Sequence, residues 1–354
     1  MAALLFAGQT RAPAAPPSTF PQPDWPSGTG TELAMASAAY EAWLREYAGD
    51  AWASIVIVHG QAVYAGAGIH SSTTRKYDCG SLRKPLQATV LGVALAQGRL
   101  RSVDEDAMPY WQDSYQTPYE NDRHITFRQF IAFLDRWDEP EPPGTYHYNN
   151  AGATAAGACI AGLFGPVHGS RPEGISEVAR REVMNRIGAD WDLGYSAANF
   201  SAQSWNSGPQ LVFKSSVAEL AKFGYLWLRH GCWGVDRLFS EEFWGEAVAD
   251  GSPHTGSTES GLCGHYGYGW FVNPGKVWLP DLPEDAFYAI GNGQPKRASM
   301  LLVIPSLDTV AVLSMERQSD DGKWDVILNS RIPRNDGPRL WGHEIGRLWR
   351  ADRQ

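Results

Sequence analysis

Strand-like sequence lies at both ends of this chain, with helical sequence between. Near the N-terminus, Ala51-Trp52-Ala53-Ser54-Ile55-Val56-Ile57-Val58 and Ala62-Val63-Tyr64-Ala65-Gly66 are rich in β-branched and aromatic residues. Only His59-Gly60-Gln61 separates them, which predicts a hairpin. Far along the chain, Tyr266–Val272, Phe287–Ile290, Ser299–Ile304 and Thr309–Met315 read the same way. Helices are expected over residues 32–48 and Val217–Arg229, with a closing helix near Pro338–Trp349. Between them, residues 99–214 alternate helical pieces with Pro/Gly-rich loops, Ile175 to Ile187 being the clearest amphipathic piece. Strands so distant in sequence bury their faces together most simply in one sheet. The expected class is therefore α+β, an α/β sandwich: an antiparallel sheet flanked by N- and C-terminal helices, with an inserted all-α lobe.

A chain of 354 residues with 43% hydrophobic content exceeds the usual size of a single core. The expected division is an α/β lobe from about 32–98 and 215–354, and a helical lobe over about 99–214. Residues 1–31 read as a flexible Pro/Ala-rich leader. Its apolar run, Met1 to Gly8, lacks a positive n-region and is shorter than a full signal core. A clipped export signal and a plain leader both fit, and export is favoured over a cytoplasmic location. No run of about 18 apolar residues occurs, so no membrane-spanning helix is expected. The net charge of −9, with no Lys/Arg cluster, argues against a nucleic-acid surface. Composition leaves the oligomeric state open.

At the junction of the first hairpin and the following helix stands Gly80-Ser81-Leu82-Arg83-Lys84-Pro85-Leu86. Leu86, Val90, Leu91, Ala94 and Leu95 then form an apolar stripe at helical spacing, with Gly98 as a stop. In a helix starting near Ser81, the hydroxyl and the Lys84 amine share one face across a single turn. A serine becomes a useful nucleophile when a neighbour takes its proton, and an amine of lowered pKa can do so. With 26 serines and 7 lysines in the chain, chance supplies such a pair about half the time. The bland alternative is a core helix with a serine at its start.

Two further segments bear on that choice. Pro143-Gly144-Thr145-Tyr146-His147-Tyr148-Asn149-Asn150 precedes a helix of small residues from Ala151. It offers Tyr148 as an acid/base phenol and Asn150 as a substrate-orienting amide, against the alternative of a loop tyrosine that caps something. Phe287 to Gln294 is a strand running into glycines, with Gly291, Asn292, Gly293 and Gln294 at its end. Such an edge can bring backbone N–H groups to a substrate carbonyl beside the N–H of Ser81, although a tight turn is locally the commoner use. The cysteines Cys79, Cys159, Cys232 and Cys263 show neither zinc-site nor redox spacing, and Cys79 reads as a buried free thiol. No Gly-x-Ser-x-Gly elbow or His-Glu-x-x-His is present.

Taken in order, Ser81-x-x-Lys84, Tyr148-x-Asn150 and the glycine strand near Gly291 resemble the serine beta-lactamase and penicillin-binding-protein family, in its class C and esterase-like branch. The resemblance extends over most of residues 35–350. It implies a beta-lactamase/transpeptidase-like fold, Ser81 as nucleophile, Lys84 as proton acceptor or relay, Tyr148 as partner base and leaving-group acid, and Asn150 orienting the substrate. Which of Lys84 and Tyr148 takes the first proton is left open. The family's Lys-Thr-Gly or His-x-Gly is missing: if Gly291 matches the motif glycine, the cationic position falls on Ala289 and the oxyanion donor is the Asn292 N–H. A register one or two residues later would use the Gln294 N–H. Loss of that cation removes the usual attraction for a substrate carboxylate. The implied activity is hydrolysis of a small ester or amide through an acyl-enzyme, without a metal or organic cofactor. A beta-lactamase, a D-amino-acid peptidase and a catalytically silent penicillin-binding-like ligand-binding protein are the alternatives.

Overall fold

A computed structural model of the chain describes residues 20–21, 24–28, 31–111, 119–167, 171–172, 174–195, 211–251, 265–277, 279–293, 297–316 and 336–352. Cys263 and Gln294 lie outside the described residues. The chain enters through helix α1 (Thr31–Ala48) and the hairpin β1 (Trp52–Val58) and β2 (Gln61–Ala67). The short β3 (Tyr77–Asp78) leads to a 3-10 turn, Gly80–Leu82, and to helix α2 (Arg83–Ala96). Helices α3 (Phe127–Ile131), α4 (Asn150–Gly162) and α5 (Ile175–Ala179) follow, with the two-residue strands β4 (Pro166–Val167) and β5 (Arg171–Pro172) before α5. Next come β6 (Asp192–Tyr195), β7 (Leu211–Ser215), α6 (Val217–Leu228), the small hairpin β8 (Cys232–Trp233) and β9 (Asp236–Arg237), and α7 (Glu241–Ala247). Strands β10 (Phe271–Val272), β11 (Phe287–Gly293), β12 (Arg297–Ile304) and β13 (Thr309–Glu316) precede the C-terminal helix α8 (Asp336–Asp352).

Six strands form the main sheet in the order β10-β11-β12-β13-β1-β2, every neighbouring pair antiparallel. The two ends of the chain meet at its centre, where Ile55 pairs with Val312 and Ile57 with Val310. All seven residues of β1 are buried, which is why Ile55 to Val58 is continuously apolar: both sheet faces are covered. Ala53, Ile55 and Ile57 join a core with Leu86 and Val90 of α2 and Leu220 and Phe223 of α6. Trp52, Val56 and Val58 point the other way, to Tyr40 and Leu44 of α1 and Trp341, Ile345 and Leu348 of α8. Each such side chain removed from water contributes roughly 1.5–3 kcal/mol.

The middle of the chain carries α3 to α5 and also β6 and β7, which pair with each other and with β3. Their signal is a short alternation: Leu211, Phe213 and Ser215 are buried while Val212 and Lys214 are half-buried. Helix α2 differs from its expected amphipathic stripe, being buried on every face from Arg83 to Ala94. Gly98, with φ +68°, lies just past its end. Tyr266–Val272 is a strand only at Phe271–Val272; Tyr266 to Trp270 forms a turn closed by Gly267 N donating to Trp270 O at 2.9 Å. Gly269 makes that turn feasible, with φ +78° and only 2.7 Å between an added Cβ and Pro85 N.

Candidate active site

Cys79, Gly80 and Ser81 are held between two strands. Cys79 N donates to Phe213 O of β7 at 2.8 Å, and Gly80, with φ +49°, donates its N–H to Asp78 Oδ1 at 2.9 Å. On the other side Gly291 of β11 approaches so closely that an added Cβ would lie 1.6 Å from Cys79 O. Glycine at 291 is therefore a steric requirement. Ser81 occupies the 3-10 turn rather than the α2 N-cap position, which falls to Leu82. Among the described residues the Ser81 N–H makes no hydrogen bond, while its neighbour Leu82 N donates to Cys79 O at 3.0 Å. Cys79 is fully buried, and burial pushes its thiol far above its ordinary range.

Lys84 follows on the first turn of α2. Its Nζ lies 2.8 Å from Ser81 Oγ and 2.9 Å from Asn150 Oδ1. It also lies 4.4 Å from the centre of the Tyr148 ring and 5.6 Å from that of Phe133. Burial, and secondarily the Arg83 guanidinium, hold this amine well below the usual lysine range. Burial pushes the Tyr148 phenol up, an effect partly offset by hydrogen bonding with Ser81 and by the Arg83 charge.

Tyr148 and Asn150 are fixed by the start of α4. Asn149 caps that helix, its Oδ1 accepting from Ala151 N at 2.9 Å and Gly152 N at 3.2 Å, while its Nδ2 donates to Trp137 O at 2.8 Å. Asn150 is then the first helical residue. The small residues of α4 allow close packing on α2, since an added Cβ at Gly157 would lie 2.5 Å from Gln87 Nε2. Tyr148 packs at 4.5 Å on Phe133, and Phe133 packs in turn at 5.2 Å on Tyr266.

Of the residues read from the sequence, Ser81, Lys84, Tyr148 and Asn150 thus converge. Gly291 borders the same turn, and Asn292 and Gly293 continue β11, pairing with Ala298 and Arg297. Ala289 is buried in the core and brings no charge to this edge. Strand β10 pairs only with Phe287 and Tyr288, so the rest of that edge of β11 has no strand partner among the described residues.

Three neighbours were not legible. Arg83 stands between two motif positions and carries no motif role of its own, although a cation on a core helix is itself a signal. Phe133 takes a left-handed conformation, φ +56°, which its residue type does not announce. Asp135 is fully buried, accepts from Trp137 N at 2.8 Å, and presses against Gly152, where an added Cβ would lie 2.1 Å from Oδ1. Burial raises its carboxyl to about 8.

The fold is shared with solved structures of low sequence identity. A penicillin-binding protein homolog from Caulobacter crescentus matches with a TM-score of 0.61 at 14% identity, covering 93% of this chain and 100% of that one. A class C beta lactamase from Rhodobacter sphaeroides gives 0.56 at 13% identity, covering 85% and 99%. A D-stereospecific amidohydrolase from Streptomyces sp. gives 0.57 at 15% identity, also covering 85% and 99%. These define a beta-lactamase/transpeptidase-like fold. The sequence profile of the Beta-lactamase family matches residues 41–327, and the chain belongs to that family. No curated protein matches it in sequence. Among the described residues no helix is long and apolar enough to cross a membrane.

Proposed function

We propose that the protein is a serine hydrolase that cleaves a small, uncharged or weakly polar ester or amide through an acyl-enzyme on Ser81. The observation that carries this reading is the 2.8 Å separation of Lys84 Nζ and Ser81 Oγ with the amine buried. A neutral amine can donate to Asn150 Oδ1 and still accept the Ser81 proton on its lone pair. Lys84 is then the base for acylation, and Tyr148, kept as a neutral phenol by burial, is the leaving-group acid. As Ser81 Oγ bonds to the carbonyl carbon, its proton passes to Lys84 and the carbonyl π-pair moves to oxygen. The Ser81 N–H, with the Asn292 N–H of β11 or, in the later register, the Gln294 N–H, would receive that oxyanion. Collapse breaks the bond to the leaving group, which takes a proton from Tyr148, and Tyr148 is reprotonated by Lys84. Water then repeats the sequence on the acyl-serine, releasing the acid and restoring Ser81.

Substrate class follows from what surrounds the serine. In the register that matches Gly291 to the family's motif glycine, Ala289 takes the cationic position, and no fixed charge on β11 would then draw a substrate carboxylate. Tyr148, backed by the buried rings of Phe133 and Tyr266, makes the surroundings of Lys84 aromatic and apolar, which suits an apolar acyl group. Initial rates on a short-chain p-nitrophenyl ester, a linear amide and nitrocefin test this. Ester turnover should be the fastest, and nitrocefin turnover far above the ester would overturn the assignment of Ala289. Fluorophosphonate labelling of wild type but not of Ser81→Ala is expected; labelling that survives the substitution would remove Ser81 as nucleophile.

A further inference from the structure

Arg83 is the charged residue of this cluster that the acyl-transfer scheme does not use. It precedes Lys84 on α2 and is 5% exposed. Its Nη2 donates at 3.3 Å to Asn150 Oδ1, the same oxygen that Lys84 reaches at 2.9 Å. Among the described residues it has no ion-pair partner, and its Nε has no hydrogen-bond partner.

A buried, unpaired cation is costly, and a guanidinium does not escape that cost by losing its proton. An amine does. Two donors on one neutral oxygen keep the two side chains close, so a second positive charge there is opposed by the first, and the amine is the group that yields. The same two bonds decide which way the Asn150 carboxamide faces. With Oδ1 held by Arg83 and Lys84, Nδ2 is left to donate elsewhere.

The other groups around this pair do not replace Arg83. Ser81, Tyr148 and Asn150 face the Lys84 amine directly. Tyr266 from the turn before β10 lies behind Tyr148 with Tyr146, and burial raises the Tyr266 phenol well above its ordinary range. Asp78 is the carboxylate whose field reaches Arg83, and it accepts the Gly80 N–H.

We propose that Arg83 is a positioning residue whose permanent charge adds to burial in keeping the Lys84 amine in its proton-accepting form and holds Asn150 with its carboxamide oxygen toward the Ser81–Lys84 pair. The proposal rests on reading Ser81 and Lys84 as nucleophile and base.

The test is a pH titration of lysine side chains by carbon-13 NMR in the full-length protein, which has 7 lysines. Lys84 is assigned by the signal lost in Lys84→Arg, and wild type is compared with Arg83→Met and Arg83→Gln. Removing the neighbouring cation should raise the Lys84 midpoint by about one pH unit or more, a tenfold change in its protonation equilibrium. An unmoved midpoint in both variants overturns the proposal. Fluorophosphonate labelling supplies the second readout. In Arg83→Met it should slow about tenfold near neutral pH and recover as pH rises through the new midpoint. An equal slowing at every pH would assign Arg83 a packing role only and overturn the proposal. If wild type resists labelling while the Lys84 midpoint still moves with Arg83, the nucleophile reading fails and the Arg83–Lys84 coupling stands.

Discussion

Burial does opposite things to the two titratable side chains beside Ser81. It favours the neutral form of each, and the proposed scheme uses Lys84 as proton acceptor and Tyr148 as proton donor on that basis. The division of labour predicts a split between substrates. Tyr148→Phe should cost more on an amide, whose nitrogen must be protonated to leave, than on a p-nitrophenyl ester, whose phenolate leaves without help. Steady-state rates on the two should differ in their loss by about 10²-fold or more, the usual scale of a general acid. Equal losses would make Tyr148 the base instead. Asp135 gives a stability prediction of defined sign. Its folded pKa, about 8, lies above its ordinary value of 3.8, so ionisation favours the unfolded chain and stability declines as pH rises between those values. Asp135→Asn should therefore gain on wild type in melting temperature from pH 5 to pH 8, and a gap that narrows over that range would contradict the assignment.

At the scale of elements, the site is a meeting of α2, α4 and β11 around one 3-10 turn. Glycine carries much of that contact. Gly291→Ala would force Cβ against Cys79 O and should cost about 1–3 kcal/mol or more in urea denaturation, with loss of fluorophosphonate labelling. A variant as stable and reactive as wild type would mean that β11 does not brace the nucleophile turn. This is also where sequence reading worked and where it stopped. The convergence of Ser81, Lys84, Tyr148 and Asn150 was legible because a serine and a lysine one turn apart, and a tyrosine and an amide beside a helix start, are chemically distinctive combinations. The turn at Tyr266–Trp270 was not: its aromatic and glycine alternation mimics a strand, and only contact with the Lys84–Pro85 backbone makes Gly269 a turn residue. Burial of α2 on all faces was equally hidden, since Arg83, Lys84 and Gln87 are residue types that ordinarily face water.

For the whole molecule, joining β1 to β13 commits the fold to contacts between its two ends. The runs of β-branched and aromatic residues at both ends announced that sheet, and the two outer helices were legible from their periodicity. The closing detail was not. Tyr40 Oη meets Ser54 Oγ at 3.0 Å and accepts from Trp341 Nε1 at 2.7 Å, and Ser54 Oγ donates to Val312 O at 2.8 Å. That buried chain ties α1, α8, β1 and β13 together, and no spacing rule points to it. Truncation after residue 335 removes Trp341, Ile345 and Leu348 and uncovers one sheet face. The truncated protein should bind a hydrophobic dye and aggregate, whereas a soluble monomer with unchanged melting behaviour would show that α8 does not complete the core. The central claim, covalent catalysis at Ser81, is most directly tested by rapid-quench mass spectrometry during turnover of a p-nitrophenyl ester. The account predicts an acyl mass increment on the peptide containing Ser81, absent in Ser81→Ala together with turnover; an adduct elsewhere, or undiminished turnover by Ser81→Ala, would contradict it.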